Sequence, residues 1–528
     1  MERPKILVSE VLDAQALALL AEHAEVEAHE TMPEADFRAR LREFDAVIIR
    51  SAHRLTAEHF RLAPGLQVAA RAGAGVDNID LDAATAAGVL VLNTPGANAV
   101  AAAEHTFALL LGTVRRVCPS DLHVRAGGWR RQDYIGFELR GRRLGIIGIG
   151  RVGREVARIA HGFGMEVYAY DPYVDPTEIK RRGAVPCATL EELLQKADVL
   201  TVHTPKTGPR LGRAELSRLP QDAVVLNVAR GGLIDEQALM DLLDEGHLKF
   251  GALDVFTHEP PRDERLLARD DLLFTCHLGG STNEAMGKIG TRVVQLVLRA
   301  LAGEVPEEAV NLALPQLDGL PSQQLIAAAG RAGGVLAALA KVDGPLVIAA
   351  RGPLPEEALP IAARALIAGY LGVAADEPVN VVNALVQAQR QGIALELRRE
   401  PEDDAPARIA AWFAGQPEKD VECAVADGRL LRLLGAPLDL PVQGHLLATR
   451  HRDLPGVVGR VGTLLGAAGV NIATLQLARC GGGQAVMALG LDDEPPAEAR
   501  KAIAALAEVA EVFSVALEQS RSREAVKP

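Results

Sequence analysis

RRLGIIGIGRVGREVARIAHGFG, residues 142–164, passes from a short apolar run into an amphipathic segment through three glycines, Gly148, Gly150 and Gly153. That pattern describes a strand, a tight turn and a helix whose N-terminal N–H groups face a pyrophosphate. The following run, EVYAY (166–170), ends at Asp171, about 20 residues after the turn, where a carboxylate binds both hydroxyls of a ribose. Asp171 repels a 2′-phosphate, and neither Pro172 nor Tyr173 supplies a replacing cation. The reading is a dinucleotide-binding unit that prefers NAD to NADP, with Gly148, Gly150, Arg151, Val152, Gly153 and Asp171 at the cofactor.

The same rhythm continues on both sides. Downstream, ADVLTVHTP (197–205), AVVLNVARGG (223–232), FGALDVF (250–256) and LLFTCHLGG (272–280) each end a β-branched or apolar run in a loop with a chemically useful side chain. Ligands in open α/β sheets lie outside the carboxyl ends of strands, so these loops are expected to converge on one cleft. Upstream, KILVSE (5–10), DAVIIR (45–50), LQVAARAG (66–73) and VLVLNTP (89–95) alternate with helix-length segments and predict a second set of parallel α/β layers. Residues 98–118 read as one long helix opened by Asn98, and the helix within 280–303 as a return to the first domain. A Pro/Gly linker at 312–322 precedes a mixed stretch, 323–440, without catalytic clustering. Residues 445–518 read as βαββαβ, and the tail 520–528 lacks apolar periodicity.

Composition narrows the class. A 528-residue chain exceeds one core, and 48% hydrophobic with 24% charged residues is ordinary for a globular protein. A net charge of −13 and 3% aromatics argue against a nucleic-acid partner. The five cysteines (Cys118, Cys187, Cys276, Cys423 and Cys480) form no CxxC pair, which predicts reduced thiols, no metal site and a cytoplasmic protein. The N-terminus resembles a first strand rather than a secretion signal. The alanine-rich stretch 99–111 carries Glu104 and His105, so it reads as a buried helix and no membrane span is expected.

Three segments carry chemistry. In NVARGG (227–232), Arg230 occupies a loop where a planar guanidinium can grip a carboxylate through two hydrogen bonds. In CHLGGS (276–281), His277 closes a strand and can take a hydroxyl proton. In HEPP (258–261), Glu259 can pair with that imidazole and favour its protonated form. Clamp, base and partner, together with a dinucleotide, meet the needs of 2-hydroxy-acid oxidation.

ARAGAGVDNID (70–80), GIGRVGREVA (148–157), NVARGGLIDE (227–236), ALDVFTHEPP (252–261) and HLGGST (277–282) resemble the D-isomer-specific 2-hydroxyacid dehydrogenases. HRDLPGVVGRVGTLLGAAGVNIATLQLAR (451–479) resembles an ACT domain, and the stretch before it the intervening domain of the long-form D-3-phosphoglycerate dehydrogenases. The resemblance implies an α/β protein with a Rossmann-type domain (98–288) inserted in a flavodoxin-like substrate domain (1–97 and 289–312). An α+β intervening domain (318–440) and a ferredoxin-like ACT regulatory domain (445–520) would follow. It implies NAD-dependent oxidation of D-3-phosphoglycerate in L-serine synthesis, with His277 as acid/base, Glu259 as its partner and Arg230 as clamp. Asp254 would meet the nicotinamide carboxamide, and Thr204, Pro205 and Gly279 would line the cofactor cleft. Arg50, Ser51, Gly75, Val76 and Asn98 would bind substrate. His451, Asp453 and Asn471 match positions for a serine effector, and Trp129 and Arg131 a segment reaching a neighbouring subunit in a homodimer or homotetramer. Where relatives continue the Arg-Ser loop with Thr-Lys, this chain has Ala52, His53 and Arg54. The alternatives are another dehydrogenase of the same triad, for hydroxypyruvate, glyoxylate or 4-phosphoerythronate, and a non-catalytic NAD-sensing scaffold.

Overall fold

The computed structural model describes residues 3–312, 314–315, 321–373, 378–400, 405–441 and 444–517. Most of the linker expected at 312–322 and the tail 520–528 lie outside them.

The first sheet contains β1 (Lys5–Val8), β2 (Glu25–Ala28), β3 (Ala46–Ile49), β4 (Val68–Arg71) and β5 (Leu90–Leu92), all parallel, in the order β2-β1-β3-β4-β5. Runs such as AVII in β3 are buried throughout, as a parallel sheet covered on both faces demands. Asp13 opens the helix Ala14–His23 by accepting the Gln15 and Ala16 N–H groups. The chain returns to this sheet late. The helix Asn283–Leu301 packs on the helix Ala14–His23, and Asn311 Oδ1 accepts the Val91 N–H of β5 at 2.9 Å.

The second sheet contains β6 (Arg143–Ile147), β7 (Glu166–Tyr170), β8 (Val185–Pro186), β9 (Val199–Val202), β10 (Ala223–Asn227), β11 (Leu248–Leu253) and β12 (Leu272–Phe274). They are parallel in the order β12-β11-β10-β9-β6-β7-β8, a Rossmann arrangement whose order reverses at β6. Its covering helix is two helices rather than the single one expected over 98–118. Ala99–Val114 stops, Arg116 takes a left-handed conformation (φ 55°), and Val117–Arg125 starts afresh. Pro119 is the reason. In an unbroken helix its ring would collide with the carbonyl of Arg115, whereas near the start of a new helix its missing N–H costs nothing.

Beyond residue 320, β13 (Leu346–Arg351), β14 (Leu395–Glu400), β15 (Arg408–Phe413), β16 (Val421–Ala424), β17 (Leu430–Leu433) and β18 (Ala436–Leu440) form a mixed sheet ordered β14-β13-β15-β16-β17-β18. The helices Ser322–Leu339 and Leu359–Gly372 pack against each other beside it. The last sheet is antiparallel, β20-β21-β19-β22, from β19 (Gly444–Arg452), β20 (Ile472–Cys480), β21 (Gln484–Leu491) and β22 (Val509–Leu517). With the helices Val457–Ala467 and Ala497–Ala504 between strands, it has the expected βαββαβ order. One face buries Leu447, Met487 and Leu489 under those helices. The other, through Leu446, Ala448 and Val486, joins the core that contains Leu325 and Phe413.

One buried charge holds the mixed sheet. Glu422 in β16 is 3% exposed and pairs with Arg351 of β13 and, at 2.8 Å, with Arg408 of β15. Removing it takes from Arg351 and Arg408 the buried carboxylate they share, while Arg351 keeps Glu400 at 2.8 Å, so Glu422→Ala is expected to destabilise this region by about 3 kcal/mol, the low end for breaking a buried ion pair. Scanning calorimetry would register this as a lowered first unfolding transition.

Candidate active site

Parallel pairing brings six strand ends level. Tyr170 pairs with Ile147, Ile147 with Val202, Val202 with Asn227, Asn227 with Leu253, and Leu253 with Phe274. Because all six strands point the same way, each releases its loop along one edge. Asp171, Gly148, His203, Arg230, Asp254 and His277 therefore all lie within three residues of a common line.

At one end of that line is the glycine turn. Gly148 has φ 86°, and a Cβ there would stand 2.7 Å from the His203 carbonyl oxygen; one on Gly153 would stand 2.2 Å from that of Gly148. Gly150 faces open space, and no side chain caps the helix Arg151–Gly162 that follows, so its first N–H groups remain for an anion. Asp171 is fixed at the mouth, accepting the Ile149 N–H at 3.1 Å and the Tyr173 N–H at 3.0 Å. Across the turn, the buried Thr204 Oγ1 has no partner. Pro205 and Arg151 are exposed and Val152 is half-buried. Arg182, whose Nη1 donates to the Ile149 carbonyl at 2.8 Å, is paired with Glu178 at 2.9 Å and not free for a 2′-phosphate. An uncapped helix N-terminus, the Asp171 carboxylate beside it and a Thr204 hydroxyl without a partner among the described residues suit NAD.

At the other end, His277 Nδ1 donates to Glu259 Oε2 at 2.9 Å, leaving Nε2 to face a substrate. Glu259 is steadied by the Phe256 N–H, which donates to Oε1 at 3.2 Å. His277 itself has φ 59°, a left-handed conformation that costs energy for a side-chain-bearing residue. Asp254 holds it there. Its carbonyl accepts the His277 N–H at 2.9 Å, and its carboxylate accepts the N–H groups of Leu278 (2.7 Å) and Gly279 (2.9 Å) and the Thr275 hydroxyl (2.6 Å). His105 Nε2 lies 3.2 Å from the same carboxylate. Burial pushes this carboxyl up, but the hydrogen bonds from His105, Thr275, Leu278 and Gly279 outweigh it and hold the group at about 2. Asp254, expected at the nicotinamide, is 1% exposed with both oxygens engaged, so in this structure it anchors the His277 loop. His105 and Thr275 were not singled out in the sequence; the polar His105 in an alanine-rich helix was the available signal.

The clamp is also preformed. Asn227 spans its own loop, accepting the Ala229 N–H at 3.1 Å and donating to the Arg230 carbonyl at 2.8 Å. Gly231 permits close approach to the segment carrying Glu259, since a Cβ there would meet the Phe256 carbonyl oxygen at 1.8 Å. Arg230 Nε donates to Asp77 Oδ2 at 2.9 Å, and its guanidinium lies over Gly75. Asp77, within the quoted ARAGAGVDNID, is thus the partner of the Arg230 guanidinium. Arg71 connects this pair to the Arg-Ser loop, donating to the Gly75 carbonyl at 2.8 Å and the Arg50 carbonyl at 3.1 Å. Burial, reinforced by neighbouring Arg230, holds the Arg71 guanidinium below its ordinary range. Val76 is half-buried beside them, Ser51 is exposed, and Asn98 lies against Gly280 in the His277 loop.

Residues 107–279 match the D-isomer specific 2-hydroxyacid dehydrogenase NAD binding domain, and residues 445–508 the ACT domain. A D-3-phosphoglycerate dehydrogenase of Mycobacterium leprae is 35% identical over 96% of this chain and 98% of its own. That of Methanocaldococcus jannaschii is 34% identical over 97% of this chain and 100% of its own. The chain belongs to the D-3-phosphoglycerate dehydrogenase family. It is an oxidoreductase with an NAD-binding domain. Among solved structures, a Thermus thermophilus protein aligns with a TM-score of 0.54 at 35% identity, over 58% of this chain and 99% of its own. A glyoxylate reductase from Paecilomyes thermophila aligns with the same TM-score at 28% identity, over 59% and 99%.

The three residues expected to regulate this family member are not gathered within one chain. His451 in β19 is buried beside Thr449, and burial lowers its proton affinity. Asp453, just past β19, pairs with Arg479 at 2.7 Å. Asn471 precedes β20, at the end of the sheet where His445 pairs with Leu491, and donates to Asp492 at 2.6 Å. Asp453 and Asn471 therefore lie at opposite ends of the sheet, about 26 Å apart along the strands at 3.3 Å per residue.

Two outcomes follow from the Asp254 anchor. Asp254→Asn is expected to lower kcat about tenfold or more while NADH affinity, from fluorescence titration, stays within about threefold. The reverse pattern would put Asp254 at the nicotinamide. Its depressed carboxyl also contributes stability that is complete above pH 3.8 and lost as pH falls through 2. The stability gap between wild type and variant, followed by acid titration of circular dichroism, should close over that window.

Proposed function

We propose that this chain oxidises D-3-phosphoglycerate to 3-phosphohydroxypyruvate, the step that commits carbon to L-serine. The observation that carries the reading is the His277–Glu259 hydrogen bond at 2.9 Å, on the same strand-end row as the Arg230 clamp and the glycine turn. Full-length similarity to proteins named for that reaction supports the choice of substrate.

The roles follow from the geometry. The substrate carboxylate replaces Asp77 on Arg230, which turns C2 toward the cleft. Neutral His277 takes the C2 hydroxyl proton at Nε2, and the imidazolium so formed is stabilised by Glu259 at Nδ1. Asp254 keeps the ring in place throughout. Bound NAD supplies the hydride acceptor, held by the Gly148–Gly153 turn and Asp171.

A second copy of the chain completes the particle in this reading. The helix Val117–Arg125 buries none of its residues, and Leu122 (67%), Trp129 (78%) and Ile135 (75%) are exposed in and after it. A homodimer or homotetramer built on this face covers them and brings Trp129 and Arg131 toward a neighbouring subunit. L-Serine binding at the ACT domain is part of the proposal. With Asp453 and Asn471 at opposite sheet ends, a site that uses both draws them from two chains. Among the described residues no helix is long and apolar enough to cross a membrane, and we place the enzyme in the cytoplasm.

NADH oxidation with 3-phosphohydroxypyruvate, with and without millimolar L-serine, tests the reading. Rapid turnover suppressed by serine is the expected result, and turnover indifferent to serine would leave the ACT domain a purely structural role. His277→Ala is expected to lower kcat by roughly 10²–10⁴-fold and to retain NADH binding. Lost cofactor binding with chemistry intact would overturn the assignment of His277.

A further inference from the structure

The first sheet has its own reversal point, between β1 and β3, and the loops leaving those strands carry Glu10 and Arg50–Arg54. Glu10 is 6% exposed. Its carboxylate accepts four successive backbone N–H groups: Arg50 (2.7 Å), Ser51 (2.9 Å), Ala52 (2.9 Å) and His53 (3.4 Å). The nearest side-chain nitrogen, His53 Nδ1 at 3.5 Å, is already within hydrogen-bond reach of the Ser9 hydroxyl at 3.1 Å. A buried carboxylate is costly unless its lone pairs are met, and here backbone dipoles rather than a cation meet them. Burial raises the carboxyl, but the four N–H groups prevail and keep it below its ordinary range, ionised at neutral pH.

Such a fan of N–H groups at the carboxyl ends of parallel strands, beside a reversal point, is where a loop normally receives a phosphate. In this chain an internal carboxylate fills it. The carbonyl side of the same loop is tied down as well. Arg71 and Asn78 donate to the Arg50 carbonyl at 3.1 and 2.9 Å, and Asn78 donates to the His53 carbonyl at 2.7 Å. His53 is turned inward, 2% exposed, with Nε2 against the Met32 carbonyl at 2.9 Å. With the N–H groups of residues 50–53 taken, the outward side chains of Ser51 and Arg54 and the guanidinium of Arg50, whose Nη1 reaches the Val11 carbonyl at 3.4 Å, are what the loop offers a ligand.

We infer that Glu10 is a positioning residue for the substrate phosphate: by plugging the backbone N–H fan of residues 50–53 it fixes the loop and leaves phosphate recognition to the Arg50, Ser51 and Arg54 side chains. This rests on the phosphorylated substrate proposed above and refines it. His53, turned inward against the Met32 carbonyl, serves the loop and not the ligand. Arg54 supplies the outward charge.

The test compares the full-length enzyme and two variants on 3-phosphohydroxypyruvate and on unphosphorylated hydroxypyruvate. Glu10→Gln puts an amide donor against the N–H fan. It is expected to raise KM for the phosphorylated substrate about 10–100-fold, the scale of a misplaced binding loop, with a much smaller change for hydroxypyruvate. Asn78→Ala, which loosens the loop from its carbonyl side, is expected to shift the same ratio in the same direction and decides the matter if Glu10→Gln does not fold. Thermal melting and NADH titration report integrity. Equal losses on both substrates, or an unchanged ratio, overturn the inference. A wild type with no preference for the phosphorylated substrate instead overturns the proposed substrate, and this inference with it.

Discussion

Parallel hydrogen-bond register across β7-β6-β9-β10-β11-β12 is the constraint on which the site depends. The six strands end at mutually paired residues, from Tyr170 to Phe274, so their loops leave the sheet along one line. A slip of one residue in any strand would reverse the faces its side chains occupy and withdraw its loop from the line. The cleft is therefore a property of the sheet, and the individual loops need only small devices to finish it: the Asn227 turn, the Gly231 contact and the Asp254 anchor.

Carboxylates provide much of that finishing, each in a different way. Asp254 and Glu10 are buried; Glu10 is met by four backbone N–H groups and shapes the Arg50–His53 loop, whereas Asp254 is met by two, with Thr275 and His105, and shapes the His277 loop. Asp77 is half-exposed and, among the described residues, hydrogen-bonded through its side chain to Arg230. Glu259 accepts from His277 at 2.9 Å, and both side chains remain partly exposed. Of these four only Asp77 is bonded, among the described residues, to an arginine side chain, that of Arg230, with Arg71 beside the pair.

Legibility in the sequence followed locality. The glycine turn, the Asp171 spacing and the ACT-like βαββαβ order were readable because each is written in one contiguous stretch with its own periodicity. Arg230, Glu259 and His277 were readable as an ordered set, and the structure pairs the last two directly. The helix expected over 98–118 missed the break that Pro119 enforces. Asp77, Glu10 and His105 were passed over because their roles arise from partners far along the chain. Glu10 meets residues 40–43 positions away, Asp77 one 153 away and His105 one 149 away. The separation of Asp453 from Asn471 was hidden for the same reason, since strand pairing across the sheet, not spacing, puts them at opposite ends.

In the proposed reaction this row of strand ends moves a hydride from C2 of a phosphorylated 2-hydroxy acid to a nicotinamide. The most direct measurement is to turn over D-3-phosphoglycerate deuterated at C2 with NAD⁺ and weigh the NADH formed. NADH carrying one deuterium is the predicted result. Unlabelled NADH, or none at all with an enzyme that binds NADH normally, would contradict the account.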